Sequence, residues 1–219
     1  MKFTFLTLFP QIIECYFQDS ILRRAIEKEL VGIEFVDFRN YTTDKHLKVD
    51  KPKAGGGAGM LLMADPIVRA IEDRRSEDSW VIFTTPAGKR FNQKDAKRLA
   101  ATKKEIIFVN GRYEGFDERA IELCADEVFS LGDFILTGGE IASLAMCDAI
   151  ARLVPGVLGN EESLEEESFN EDLLEAPSFT KPNVYRNSPI PSEFLKGNHV
   201  KLAALKNSMA LLRTRYYRP

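Results

Sequence analysis

Along the first 160 residues, short apolar runs alternate with segments whose apolar positions recur at helical spacing. KFTFLTL (2–8), IEFVDF (33–38), WVIFT (80–84), EIIFV (105–109) and EVFSLGDFILT (127–137) are β-branched or aromatic runs bounded by turn residues, and they predict strands. Residues 9–30 open at Pro10 and set Ile12, Ile13, Tyr16, Phe17, Ile21, Leu22 and Ile26 on one side, which predicts a helix. Shorter helices are expected over 92–102 and 117–124, and a longer one over 139–154, stopped by Pro155-Gly156. Alternation of this kind predicts an α/β domain with a mostly parallel sheet. Two stretches break the rhythm. Residues 40–64 form a long polar, basic and then glycine-rich loop, and loops of that length inside a domain are usually functional or disordered. Residues 160–175 are acidic and without period.

Charge sharpens the division. The chain of 219 residues carries a net charge of −3, yet 176–219 holds eight Lys/Arg against the single acid Glu193, and 161–175 holds eight acids and no base. This predicts three parts: a near-neutral α/β domain over 1–159, an acidic linker over 160–175, and a basic domain over 176–219. The last part has four prolines on an extended approach, followed by a helical pattern through Val200, Leu202, Leu205, Met209 and Leu212. Composition is that of an ordinary globular protein, 44% hydrophobic and 29% charged, and charges interrupt every run long enough to span a membrane. The start, MKFTFLTLFPQII, lacks a small-residue cleavage site and reads as a first strand. Cys15, Cys124 and Cys147 have no metal-like spacing and only two histidines accompany them, which excludes disulfide scaffolds and zinc sites and favours the cytoplasm.

Three loops offer chemistry. Gly55-Gly56-Gly57-Ala58-Gly59-Met60 invites a phosphate-loop reading, but no Gly-Lys-Ser/Thr follows and no strand precedes it at dinucleotide-fingerprint spacing. It reads either as a flexible hinge or, with Lys45, His46, Lys48, Lys51 and Lys53 just upstream, as a lid on a polyanion. Asn110-Gly111-Arg112-Tyr113-Glu114-Gly115 follows EIIFV, at the carboxyl end of a strand, where open α/β sheets bind ligands. LGDFILTGGE (131–140) follows the next strand, and its paired glycines at a helix start expose backbone donors and permit close approach of a ligand. Together these two loops describe a site built mainly from backbone and suited to a small amphipathic ligand. No Gly-x-Ser-x-Gly or Ser/His/Asp arrangement suggests nucleophilic catalysis.

GRYEG at 111–115, LGDFILTGGE at 131–140, ARLVPGVLGN at 151–160 and GGGAGM at 55–60 resemble, in order and spacing, the bacterial tRNA (guanine-N1)-methyltransferases of the TrmD type. The opening TLFP, the run DFR…DKHLKVD at 37–50, ESFNEDLLEAPSFTKP at 167–182 and the closing LKGNH…RTRYYRP fit as well, so the likeness spans the chain. The resemblance implies a SPOUT-type parallel sheet whose C-terminal part threads a trefoil knot, with a small, mostly helical C-terminal domain. Nothing in periodicity points to a knot, since chains are almost never knotted. It also implies an obligate homodimer, S-adenosylmethionine bound in the knot, and a tRNA anticodon arm as partner.

Carried over by motif, the donor site comprises Pro86, Gly111, Arg112, Tyr113, Glu114, Gly115, Leu131, Gly132, Phe134, Leu136, Gly138 and Gly139. N1 of guanine is protonated at neutral pH, so its methylation needs a base for that proton and a cation for the charge that develops on O6. The resemblance assigns the cation to Arg152 in ARLVPGVLG and the base to Glu167. Here the chain departs from the family's Glu-Asp-Ser-Phe pattern: it reads Glu166-Glu167-Ser168-Phe169, with glutamate in place of aspartate, which leaves open which carboxylate acts. Substrate contacts fall to His46, Gly57, Gly59, Glu175, Lys181 and His199. Lys196, Lys201, Lys206, Arg213 and Arg215 add basic groups suited to phosphates. The expected target is guanosine 37 of tRNA. Magnesium accompanies the family, with Glu114 its candidate neighbour, but the sequence holds no cluster of oxygen ligands. A protein that binds tRNA with low or altered activity, because of the Glu167 change, is the alternative.

Overall fold

Phe3 and Phe5 alternate with Thr4 and Leu6 along the first strand, and the same period of two runs through every strand of the main sheet. The computed structural model describes residues 1–160, 167–169 and 172–219, divided into two units, Met1–Gly159 and Asn160–Pro219. The first unit contains β1 (Lys2–Leu6), α1 (Gln11–Glu14), α2 (Ser20–Glu27), β2 (Gly32–Val36), β3 (Asp50–Pro52), β4 (Met60–Leu62), α3 (Ala64–Arg74), β5 (Ser79–Arg90), α4 (Gln93–Thr102), β6 (Glu105–Asn110), α5 (Glu118–Cys124), β7 (Glu127–Ser130) and α6 (Glu140–Ala151). Five strands form one parallel sheet in the order β2-β1-β6-β5-β7. All six residues of β6 are buried, as expected of a central strand covered on both faces. Phe3, Phe5, Ile82, Ile106 and Phe108 pack on one face with the residues of α2 and α6, while Leu6, Val81, Phe83, Ile107 and Val109 pack on the other with those of α3 and α5.

Several boundaries differ from the sequence reading, each for a local reason. The expected helix over 9–30 is three pieces: α1, a 3-10 turn over Cys15–Gln18, and α2. Asp19 is extended and its side chain accepts from Ser20 N–H, so it stops one helix and caps the next. The second strand ends at Val36, because the Asp37 carboxylate accepts from Arg39 N–H and turns Phe38–Tyr41 into a 3-10 helix. The strand expected over 80–84, β5, runs on to Arg90, twelve residues in all, with a register shift between Thr84 and Lys89 that returns its polar half to β7. A Cβ on Gly88 would lie 2.6 Å from the Phe129 carbonyl carbon, so glycine lets the two backbones meet there. Conversely, β7 stops at Ser130, and 131–139 forms no regular element. The 40–64 loop is partly ordered by the antiparallel β3–β4 ribbon, whose tip has Gly55, Gly56, Gly57 and Gly59 at positive φ. No helix was expected at α3, yet Ile67, Ala70 and Ile71 are buried at helical spacing, and Pro66 sits in its first turn where no N–H partner is lost.

In the second unit a two-stranded ribbon pairs β8 (Val184–Tyr185) with β9 (Ser188–Pro189) around Arg186 and Asn187, both at positive φ as a two-residue hairpin turn requires. A 3-10 turn over Ser192–Leu195 leads to α7 (His199–Tyr217), capped by the Asn198 side chain on Lys201 N–H. Within this unit, Leu174 N–H donates to Thr214 Oγ1 at 2.8 Å, Arg213 donates to the Glu175 carbonyl at 3.3 Å, and the Arg218 guanidinium lies over the Phe169 ring. The described part of the acidic stretch is thereby tied to the end of α7. Glu161, Glu162, Glu165, Glu166 and Glu171 of that stretch lie outside the described residues.

Candidate functional site

The chain leaves β6, passes β5 and enters β7, so the carboxyl ends of these strands open into a crevice where the connection reverses direction. A cavity of about 320 Å³ occupies this place. Its walls come from the bend in β5 (Thr84, Thr85, Pro86), the loop after β6 (111–116) and the loop after β7 (131–139). Of the residues expected to hold a donor, Pro86, Gly111, Arg112, Tyr113, Glu114, Gly115, Leu131, Phe134, Leu136, Gly138 and Gly139 line it. Gly132 does not: its N–H is taken by Ser130 Oγ at 3.2 Å, and a Cβ there would lie 2.5 Å from the Phe134 ring. Thr84, Thr85 and Ala142 are among the lining residues that the sequence reading did not single out. Phe134, Ile135 and Leu136 are all exposed, which gives the outer wall an apolar surface open to a ligand.

The paired glycines also meet a packing requirement that their sequence does not show. A Cβ on Gly138 would lie 2.5 Å from Arg112 Nε and 2.6 Å from Glu140 Oε2. A Cβ on Gly139 would overlap the Thr84 hydroxyl and sit 2.9 Å from the Gly111 nitrogen. The missing side chains admit neighbouring protein groups, while both residues also line the cavity. Arg112 is the hub of this packing. Its Nε donates to Glu140 Oε1 at 3.0 Å, its Nη1 donates to the Thr137 carbonyl at 3.3 Å, and its guanidinium stacks 4.6 Å from the Phe9 ring centroid. Gly139 N–H donates to the Gly111 carbonyl at 2.9 Å, joining the two loops a second time.

Tyr113 holds φ +58 and is exposed, so the turn presents its ring outward rather than to the core. Beside it, Glu114 Oε2 pairs with Lys53 Nζ at 2.9 Å, and Glu114 N–H donates to the Met60 carbonyl at 3.0 Å. A Cβ on Gly59 would overlap the Glu114 side chain, so the glycine-rich tip lies directly on the loop after β6. Gly57 and Gly59 thus belong to a ribbon that flanks the cavity. His46 is exposed on the neighbouring turn, where Asp44 Oδ1 accepts from His46 N–H at 2.8 Å; that bond, helped by Lys48 N–H and the nearby cations, holds the Asp44 carboxyl below its ordinary value. Arg152 forms the C-cap of α6, its N–H bonded to the Asp148 and Ile150 carbonyls. Glu167, Glu175, Lys181 and His199 all lie in the second unit, with Lys181 and His199 exposed and His199 opening α7. Among the described residues no group of three His, Cys, Asp or Glu side chains is arranged to hold a metal ion, and Glu114, the expected neighbour of magnesium, is engaged by Lys53.

Fold and site together define an α/β protein with a small-ligand cavity at the carboxyl edge of a parallel sheet, flanked by a basic, glycine-tipped ribbon. A family model described as tRNA (Guanine-1)-methyltransferase TrmD matches residues 1–219. A tRNA (guanine-N(1)-)-methyltransferase of a Nitratiruptor species is 66% identical over 219 residues, covering 100% of this chain and 96% of its own. Proteins of the same name from Campylobacter curvus and a Sulfurovum species are each 56% identical over 221 residues, covering 100% of this chain and 93% and 97% of theirs. The chain belongs to the TrmD family of tRNA (guanine-N1)-methyltransferases.

Proposed function

We propose that the chain transfers a methyl group from S-adenosylmethionine to N1 of guanosine 37 in tRNA. The observation that carries this reading is the convergence of three loops, far apart in sequence, on one cavity at the sheet's carboxyl edge. Its volume suits a nucleoside-sized ligand, Leu131, Phe134 and Leu136 give an adenine ring apolar walls, and the glycine turns bring backbone polar groups to the rim. S-adenosylmethionine supplies an electrophilic methyl group there. The protein's own task is to prepare the base. Glu167 accepts the N1 proton, and Arg152 stabilises the negative charge that spreads to O6 as the proton leaves. A glutamate in place of aspartate keeps the proton-accepting chemistry on a longer arm, so loss of turnover is not the favoured reading, and relatives of matching length carry the methyltransferase name. No step is assigned to magnesium, because Glu114 is paired with Lys53 and no ligand cluster accompanies it among the described residues.

RNA is held by charge. Lys181, His199, Lys201, Arg213 and Arg215 contact phosphates of the anticodon arm, while His46, Gly57, Gly59 and Glu175 approach the target loop. The basic part over 176–219 serves as the RNA-binding domain and the 160–175 segment as its connection to the methyl-transfer domain. Exposed apolar side chains on and around α1 and at the start of α6 (Phe9, Ile12, Tyr16 and Ile141) suit a homodimer contact, and the chain around β5, β7 and α6 forms the trefoil knot of SPOUT enzymes. No helix among the described residues is long and apolar enough to cross a membrane, and the enzyme works in the cytoplasm, where its RNA substrate is. The test is methyl transfer from labelled donor to unmodified tRNA transcripts with guanosine or adenosine at position 37. Label in the first alone is expected; equal label in both, or none in either, overturns the assignment.

A further inference from the structure

Glu140 opens α6, a position where a carboxylate normally faces solvent and meets the helix dipole from outside. Here it is turned inward and 1% exposed. Two segments meet it directly, and a third is joined to it through Arg112. From the end of β1, Thr7 Oγ1 donates to Oε1 at 2.8 Å, and the same hydroxyl accepts from Phe9 N–H at 3.0 Å. From the loop after β6, Arg112 donates through Nε to Oε1 and brings Nη2 to 2.9 Å from Oε2, an ion-pair contact without hydrogen-bond alignment. From the loop after β7, the Thr137 carbonyl accepts from the other arm of the same guanidinium.

The loop this cluster serves has little else to shape it. Phe134 is 54% and Ile135 79% exposed, so packing does not decide their positions. Apart from the exposed Arg90–Asp133 pair and the bond from Phe134 N–H to the Gly132 carbonyl, order enters at the loop's two ends, through the Ser130–Gly132 turn on one side and the bonds of Arg112 and Gly139 on the other. Arg112 can hold the Thr137 carbonyl only while its own direction is set, and a guanidinium free to rotate would lose that bond. Glu140, itself fixed by a threonine whose hydroxyl is already oriented, sets the direction. The fit is close enough that Gly138 has no room for a Cβ beside the pair.

We infer that Glu140, oriented by Thr7, is a positioning residue that holds Arg112 and through it the 131–139 loop in the shape that binds the methyl donor. This rests on the donor-site reading above. The two are separable in one experiment on the full-length protein. Binding of S-adenosylhomocysteine is measured by calorimetry for wild type, Glu140→Gln, Thr7→Val and Leu136→Lys, with steady-state KM for the donor, kcat, and amide hydrogen exchange over 134–138. Glu140→Gln keeps the hydroxyl bond and removes the charge that orients the guanidinium; donor affinity should weaken about tenfold, within the usual range of coupling between sites. Donor KM should rise in parallel, kcat at saturating donor should stay within about threefold, and exchange should quicken at 134–138 but not in β6. Thr7→Val should shift the same quantities in the same direction by about threefold. If Glu140→Gln fails to fold, Thr7→Val, which leaves the ion pair in place, decides alone. Unchanged donor affinity in the folded variants, or a fall in kcat at unchanged donor KM, overturns the inference. Leu136→Lys guards the reading beneath it: wild-type affinity in that variant refutes the donor site itself, whereas its loss beside unaltered Glu140→Gln and Thr7→Val refutes only the role of Glu140.

Discussion

Gly139→Ala isolates close packing at the donor cavity from backbone strain. Gly139 sits at φ −79, ψ −12, a conformation alanine adopts freely, so the substitution adds one methyl group and nothing else. That methyl would overlap the Thr84 hydroxyl and lie 2.9 Å from Gly111 N and 3.0 Å from Asn110 Cα. None of these can retreat easily. Thr84 Oγ1 is bonded to the Val109 carbonyl at 3.1 Å, and the other two are backbone at the end of the central strand. The loop must move instead, which stretches the 2.9 Å bond from Gly139 N–H to the Gly111 carbonyl. Overpacking of this kind costs about 1–3 kcal/mol, and for a chain of this size each kcal/mol lowers the melting temperature by about 2–4 °C. Loss of one backbone hydrogen bond to the donor, worth about 0.5–1.5 kcal/mol, adds a roughly three- to tenfold loss of affinity. Gly159→Ala is the control, since a Cβ there meets nothing within 4 Å and its φ lies outside the left-handed region. Thermal unfolding and calorimetric titration with S-adenosylhomocysteine read the two effects separately. A Gly139→Ala protein that melts within about 1 °C of the control and binds equally well refutes the packing argument.

Glu167→Gln should slow single-turnover methyl transfer by about 10² to 10⁴ while donor and tRNA binding change little; normal turnover there, with a slow Glu175→Gln, would move the base to Glu175. Glu167→Asp reports whether the site has adapted to the longer arm, because a rate at or above wild type means it has not. Binding of tRNA should fall steeply with salt through counterion release while donor binding barely moves, and replacing Lys181, Lys201 and Arg215 by Gln should flatten the salt slope; a slope unaffected by these changes removes the basic segment from the interface. At the amino edge of the sheet, burial pushes the Glu105 carboxyl up, but bonds from Lys2, Ser79 and Thr4 outweigh it and hold the group below its ordinary value of 4.5. The stability this contributes is complete above 4.5 and is lost as pH falls through the lowered value, so Glu105→Gln should flatten the acid limb of a melting-temperature profile, and an unaltered limb would show that the cluster contributes nothing.

Burial and alternation along the chain determined the frame. EIIFV and the runs at 2–8, 33–38 and 80–84 read as strands of one mostly parallel sheet, because short apolar or alternating runs bury their faces when paired side by side; that only 2–8 and 80–84 flank EIIFV was decided by the strand order. The motif loops after β6 and β7 were legible for the same reason: each begins where an apolar strand ends. Other features are invisible to any local pattern. The polar half of β5 remains a strand solely because β7 lies alongside it, and Asp19 breaks a good helical period with a single side-chain bond. The α3 helix went unread because its buried residues follow closely on a polar, glycine-rich loop that masks their spacing. At Gly138 and Gly139 the sequence shows a tight turn, but not that Arg112, Glu140 and Thr84 are packed where their side chains would lie. Thr7 and Glu140 are 133 residues apart and meet only because β1 lies next to β6 in this sheet order. Periodicity records how a residue stands to its own helix or strand axis; which distant side chain it meets is set by strand order and register, and those exist only once the chain is folded.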